Sequence, residues 1–431
     1  LEKENMLRFY SSMALLVLSL TGCVDQSRDI ASPVEASGDG SSNDTPAADN
    51  GGSAQAFDRT ALMANLVDSI FIPNYQATAI LADSFSADSG SLATYCDAIG
   101  SADEATSLAT AQTDWLALMD SVQKTEMHVI GPALRNDEAL HNRVHSYSTG
   151  SLATCALDQA VVDASSADFQ ISSRAFNQRG MGALEYLLFN SNLNHSCSSQ
   201  VLATAPWNDL TESERKTQRC GLAKKLAADV AVASNLIHSQ WTEGDSPFRA
   251  EFLSEDSQGE NFQLITDGIF YLETFTKSQK LTIPLGLDEK CSSVTCSGLV
   301  ESPYSETSLR NVRTNAAEFL RIFNGGSGLG FDDLINQEGF TGITLRFQNQ
   351  LSDVDDSVAQ ISGSLNDQLA LVEADPSDPA CLNAFANPGD ESTIGACSLA
   401  GLLKRVTDDL KIEFVTIVGV AIPGRVQSDN D

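Results

Sequence analysis

From Phe57 to the C-terminus the chain spaces its large apolar residues three and four apart, and alternation with a period of two is scarce. That periodicity specifies amphipathic helices and leaves little material for strands. Leu62, Leu66, Ile70 and Phe71 start the pattern, with Pro73 expected to kink or break the first helix. Ser101-Ala102-Asp103-Glu104 has capping-box spacing ahead of Leu108, Trp115, Met119 and Val122. Thr211-Glu212-Ser213-Glu214 has the same spacing ahead of Leu222, Leu226, Val230, Ile237 and Trp241. Further periodic stretches cover about 259–278, 306–323, 340–374 and 396–419, and only Val415–Val420 is rich in β-branched residues. The expected fold is all-α, with two four-helix-type bundles side by side and long loops held by disulfides. Residues 57–245 form the first bundle in this reading and 246–431 the second. Asn324-Gly-Gly-Ser-Gly-Leu-Gly330 lacks the lysine and preceding strand of a phosphate loop, and reads as a helix–helix connection.

The N-terminal region carries an address. Met13–Leu20 is apolar but too short to span a bilayer, and Leu20-Thr21-Gly22-Cys23 fits a bacterial lipobox. Residues 1–23 are thus expected to be a lipoprotein signal, with translation beginning at Leu1 or Met6 and Cys23 lipidated. Val24, rather than an aspartate, favours the outer membrane, so the expected location is the cell envelope. Residues 24–56 hold one arginine against six acids and almost no large apolar side chains, so they read as a disordered tether.

Setting Cys23 aside, eight of the nine cysteines remain: Cys96, Cys155, Cys197, Cys220, Cys291, Cys296, Cys381 and Cys397. An even number in an exported chain implies disulfides, and the simplest scheme joins neighbours: 96–155, 197–220, 291–296 and 381–397. No Cys-x-x-Cys, His-Glu-x-x-His or Gly-x-Ser-x-Gly motif is present. The net charge of −32 repels nucleic acid and anionic lipid, leaving cations and basic partners.

One acidic residue stands out. Wound as a helix, residues 180–189 place Met181, Leu184, Leu188 and Phe189 on one arc, and Glu185 points into it. A carboxylate there must be paired, hydrogen-bonded, protonated or bound to a cation. It is either a functional group or a structural one bonded to an arginine or to backbone amides.

The stretch Arg179-Gly180-Met181-Gly182-Ala183-Leu184-Glu185-Tyr186-Leu187-Leu188 resembles the imelysin family, whose members carry a Gly-x-His-x-x-Glu signature before an apolar helix. Trp115 followed by Ile130-Gly131-Pro132, the run Cys155–Val161, Gly328–Asp333, and the closing helix 401–420 with Ser428–Asp431 are similar to the family as well. The resemblance implies an envelope lipoprotein related to metallopeptidases and to iron-regulated proteins. It also implies a site around Arg179, Gly180, Gly182, Glu185 and Tyr186, in a cleft between two bundles. The cofactors it suggests are iron, zinc or haem. The partners it suggests are a metal ion, a metal complex or an outer-membrane iron-uptake protein. Gly182 stands where the family's histidine would be, so a non-catalytic binding component in iron or haem acquisition is the first expectation.

A metallopeptidase with relocated ligands, or a structural partner-binding lipoprotein, are the alternatives. Glu185 with His128 is the expected metal pair. His141 and His145 share a helical face with Glu138 and read as a solvated pair, or as a surface cation site. His195 and His238 read as structural.

Overall fold

The computed structural model describes residues 56–390 and 392–427. Cys23 and the expected signal and tether up to residue 55 lie outside the described residues. Among those described, helices dominate and no β-strand forms; the one β-bridge pairs Pro388 with Asp390. Among the described residues, no helix is long and apolar enough to cross a membrane.

The local signals resolve with two differences. Asp58 caps the first helix, Arg59–Leu66, by accepting from Ala61 N–H at 2.9 Å. Pro73 does not end it. A π-helical turn, Val67–Phe71, shifts the register, and the chain continues as Ile72–Ser86 with Pro73 directly after that turn. The expected box at Ser101–Glu104 does not close. Glu104 instead accepts from Gly100 N–H at 2.7 Å and from Lys216 Nζ at 2.6 Å, and Glu104–Thr125 starts without a side-chain cap. The box at Thr211 and Glu214 does close, and it starts the 31-residue helix Glu212–Thr242. The glycine-rich segment joins Ser308–Phe323 to Phe331–Gln337, and Asn65 Nδ2 donates to its Gly325 and Leu329 carbonyls.

Buried apolar side chains gather in two clusters. One draws on residues 82–233 and includes Trp115, Leu184 and Trp207. The other combines Leu62–Tyr75, Met127–Ala133 and residues 237–426, and includes Trp241, Phe319 and Phe414. The helices Ile72–Ser86 and Glu212–Thr242 run through both, with Tyr75 and Trp241 in one cluster and Phe85 and Leu226 in the other. Where Glu104–Thr125 leaves the first cluster at Val122 and the chain enters the second at Met127, the sequence between is polar: Gln123, Lys124, Thr125, Glu126.

Four disulfides close: Cys96–Cys220, Cys155–Cys197, Cys291–Cys296 and Cys381–Cys397. The last two are the expected neighbours. The first two replace the 96–155 and 197–220 pairings, because Ser91–Ala98 packs on Glu212–Thr242 and brings cysteines 124 residues apart to a Cα separation of 5.7 Å. Spacing along the chain carries no information about such helix contacts.

Candidate functional site

The helix Gly180–Phe189 is buried from Gly180 to Leu188, and Glu185 lies inside it with no exposed surface. Its entry is tightly held. Gly180 has φ +66°, and a Cβ there would meet Val144 O at 2.6 Å, so a glycine is required. Arg179 grips Asp229 of the long helix through Nε at 3.0 Å and Nη2 at 2.7 Å, and Arg143 Nη2 reaches the same carboxylate at 2.7 Å. Arg179 thus fixes the helix start. Tyr186 donates to Asp158 at 3.0 Å while the Arg219 guanidinium lies 5.4 Å from its ring centre.

Around Glu185 the donors come from two distant segments. Tyr147 Oη donates to Oε2. Oε1 accepts from Tyr304 N–H at 2.9 Å, Ser305 N–H at 2.6 Å and Ser305 Oγ at 2.9 Å. Two successive backbone N–H groups aimed at one oxygen form an anion nest, in a loop where Ser302 and Glu306 adopt positive φ (51° and 59°). Backbone amides and hydroxyls thus hydrogen-bond both oxygens of this carboxylate. Burial pushes its pKa up to about 7, outweighing the Tyr147 and Ser305 hydrogen bonds that pull it down.

Gly182 completes the arrangement. Its N–H donates to Ser146 Oγ at 2.9 Å, and a Cβ would lie 2.7 Å from both Ser146 Oγ and Tyr147 Cε2. The Tyr147 ring occupies the space that any side chain at 182 would enter.

A second buried polar group adjoins this one through Tyr147. Glu126, His141 and His145 are at most 4 % exposed, so the histidine pair is not the solvated one expected from its acidic surroundings. Asn136, Asp137 and Glu138 take left-handed backbone conformations, and the turn folds the pair inward; Glu138 instead accepts from Tyr271 Oη. His145 Nδ1 lies 3.1 Å from Glu126 Oε1, and Nε2 lies 3.6 Å from Glu301 Oε1. Lys280 Nζ pairs with Glu126 Oε2, sits 3.3 Å from Glu301 Oε2, and donates to Gln123 and Asn315. Gln123 Nε2 and Asn311 Nδ2 each donate to Glu301 Oε1 at 2.7 Å. Burial alone would raise the Glu301 carboxyl, yet Lys280, His145 and these donors bring it down to about 2. Burial, then His145 and Lys280, lower His141 to about 3, so its ring is neutral.

Lys280 comes from an eleven-residue π-helical stretch, Leu272–Thr282, a geometry frequent at functional sites. Beside both groups lies a cavity of about 410 Å³ whose lining includes Tyr147, Thr274, Gln279, Lys290 and Glu301. A larger one, about 960 Å³, runs along Asp353, Asp367 and Arg405 and touches none of these buried groups.

The structure does not unite Glu185 with His128, the expected metal pair, in any convergence of three or more ligand-type side chains among the described residues. His128 is engaged elsewhere, with Nε2 3.0 Å from Asn74 Nδ2 and its ring stacked on Phe71, and burial lowers its pKa to about 3. His195 and His238 are half-buried and belong to no such group. Reading the residues in order missed Tyr147, Gln123, Lys280, Glu301 and Ser305. The available hint was Glu126, a carboxylate lying between the apolar residues Val122 and Met127.

The chain matches the imelysin (peptidase M75) family over residues 73–387. It belongs to the imelysin family. No curated protein matches it. Two solved structures share the fold. An imelysin-like protein from Psychrobacter arcticum 273-4 is 15 % identical with a TM-score of 0.59, covering 86 % of this chain and 99 % of that one. A candidate iron-regulated protein A precursor from Parabacteroides distasonis ATCC 8503 is 16 % identical with a TM-score of 0.54, covering 83 % and 97 %. In this imelysin-family chain the helix carrying the resemblance, Gly180–Phe189, also carries the buried carboxylate.

Proposed function

We propose that this imelysin-family protein is a binding component in iron or haem acquisition and not a peptidase. The observation that carries the reading is the filling of the space over Gly182 by Tyr147, whose hydroxyl then bonds Glu185. Gly182 takes the place of the family's histidine by resemblance. With Tyr147 there, a histidine–glutamate pair on one helix face has no room to act on a metal-bound water. The name of the Parabacteroides distasonis protein, an iron-regulated one, agrees with this reading.

In it, the cavity beside Tyr147, Lys290 and Glu301 receives the metal or metal complex, and Glu185 holds Tyr147 in the wall. A lipid on Cys23 would tether the protein to the outer membrane, where an iron-uptake protein would be its partner. Calorimetry with ferrous, ferric and zinc ions and with haem is the test, on the wild type, Glu185→Ala and Tyr147→Phe. Binding of at least one species, weakened in both variants, is expected, with no chelator-sensitive peptide hydrolysis. Failure to bind any of the four, or hydrolysis that a chelator abolishes, would overturn the reading.

A further inference from the structure

Glu126, His141 and His145 each offer one ligand-type atom, and the three atoms lie within 4.8 Å of one another; no other such group exists among the described residues. We infer that these three side chains bind a divalent first-row metal ion, of the zinc or ferrous class, apart from the Glu185 hydrogen-bond cluster. The inference deepens the binding reading and rests on it in one respect: metal is the species bound.

Four observations support the site. Two imidazoles with one carboxylate suit zinc and ferrous iron, whereas calcium and magnesium favour all-oxygen cages. Glu126 Oε1 and His145 Nδ1 are 3.1 Å apart, close to the edge of about 3.4 Å between ligands held ~2.1 Å from a tetrahedral ion. Closing the third corner from the present spacing takes a movement of roughly 1.4 Å at most. His141 Nε2 is buried and makes no hydrogen bond to the protein, which leaves a polar atom to be satisfied.

The surroundings match what metal ligands need. The other nitrogen of His145 faces polar groups that hold the ring in place, with Gln123 Nε2 at 3.3 Å and Glu301 Oε1 at 3.6 Å. Lys280 holds the second oxygen of Glu126, leaving Oε1 for an ion. Apart from the imidazoles, two carboxylates, Glu126 and Glu301, face the single ammonium of Lys280 in a dry setting, a balance that an added cation improves. Glu301 also lines the cavity of about 410 Å³, which gives an approach from outside.

The test is titration of the metal-stripped full chain with Co²⁺, followed through its visible d–d bands. One equivalent with tetrahedral bands is expected. His141→Gln and His145→Gln should each weaken binding at least about 100-fold, beyond the usual cost of losing an outer-shell partner. His238→Gln should bind as the wild type does. X-ray absorption on the zinc-loaded wild type should show two imidazoles, and this measurement stands even if a variant misfolds. Absorption without imidazole, or cobalt binding indifferent to both histidine variants, overturns the site. If Glu185→Gln alone abolishes cobalt binding, the trio falls while the binding reading survives. If cobalt, zinc, iron and haem all fail to bind, both fall.

Discussion

Tyr147 donates its hydroxyl proton to Glu185 Oε2 from the volume that a side chain at position 182 would need. Two residues 38 apart in sequence therefore depend on a third that has no side chain. Glycine costs a helix about 1 kcal/mol relative to alanine, and here that loss admits the ring.

Gly182→Ala should accordingly destabilise the protein despite the better helix propensity. The added methyl meets Ser146 Oγ and Tyr147 Cε2 at 2.7 Å, and overpacking costs typically 1–3 kcal/mol. Urea denaturation would measure it, and Tyr147→Ala in the same chain should recover part of the loss. A single variant as stable as the wild type would show that Tyr147 moves aside freely.

Glu185 should impose a pH dependence. Its folded pKa of about 7 lies above the unfolded value of 4.5, so the folded state binds more protons between the two. The stability this supplies is complete below about pH 4.5 and lost as pH rises toward 7, by about 3 kcal/mol at 1.36 kcal/mol per unit. Subtracting Glu185→Gln from wild-type denaturation curves over that range should isolate the slope. Parallel curves would mean that the hydrogen bonds to Ser305 and Tyr304 keep the carboxylate ionised.

Lys280→Met should cost about 3–5 kcal/mol, since it strips the buried Glu126 and Glu301 of their shared ammonium. Adding Glu126→Gln and Glu301→Gln to the same chain should return much of that stability. The comparison by thermal melting separates the charge of Lys280 from its packing. A triple variant no better than Lys280→Met would assign the loss to packing.

The long-range disulfide should matter more than the local ones. Closing a loop of 124 residues, Cys96–Cys220 constrains the unfolded chain by about 5 kcal/mol, against about 2 for Cys291–Cys296. Paired alanine substitutions followed by denaturation would show the order, and equal losses would contradict it.

Much of the fold was legible in order along the chain. Helical spacing, the Thr211–Glu214 box and the glycine-rich connection after Phe323 are local devices, and hydrogen bonds within a few residues decide them. Glu185 was legible too, because a carboxylate among Leu184, Leu188 and Phe189 has to be buried once that stretch is helical. Its partners were not. Tyr147, Tyr304 and Ser305 reach it from loops up to 120 residues away, and no periodicity encodes which loop lands on which helix.

The same division holds for the metal-type side chains. His141 and His145 at a spacing of four already share a helical face. Whether that face meets water or Glu126, Lys280 and Glu301 depends on the left-handed residues 136–138 and on how the Leu272–Thr282 stretch packs. Local sequence determined which residues form helices and which apolar faces must be covered, since backbone hydrogen bonding and side-chain spacing act over one or two turns. Tertiary packing alone decided which charges are buried together, because burial and pairing are properties of neighbours that the chain brings in from afar.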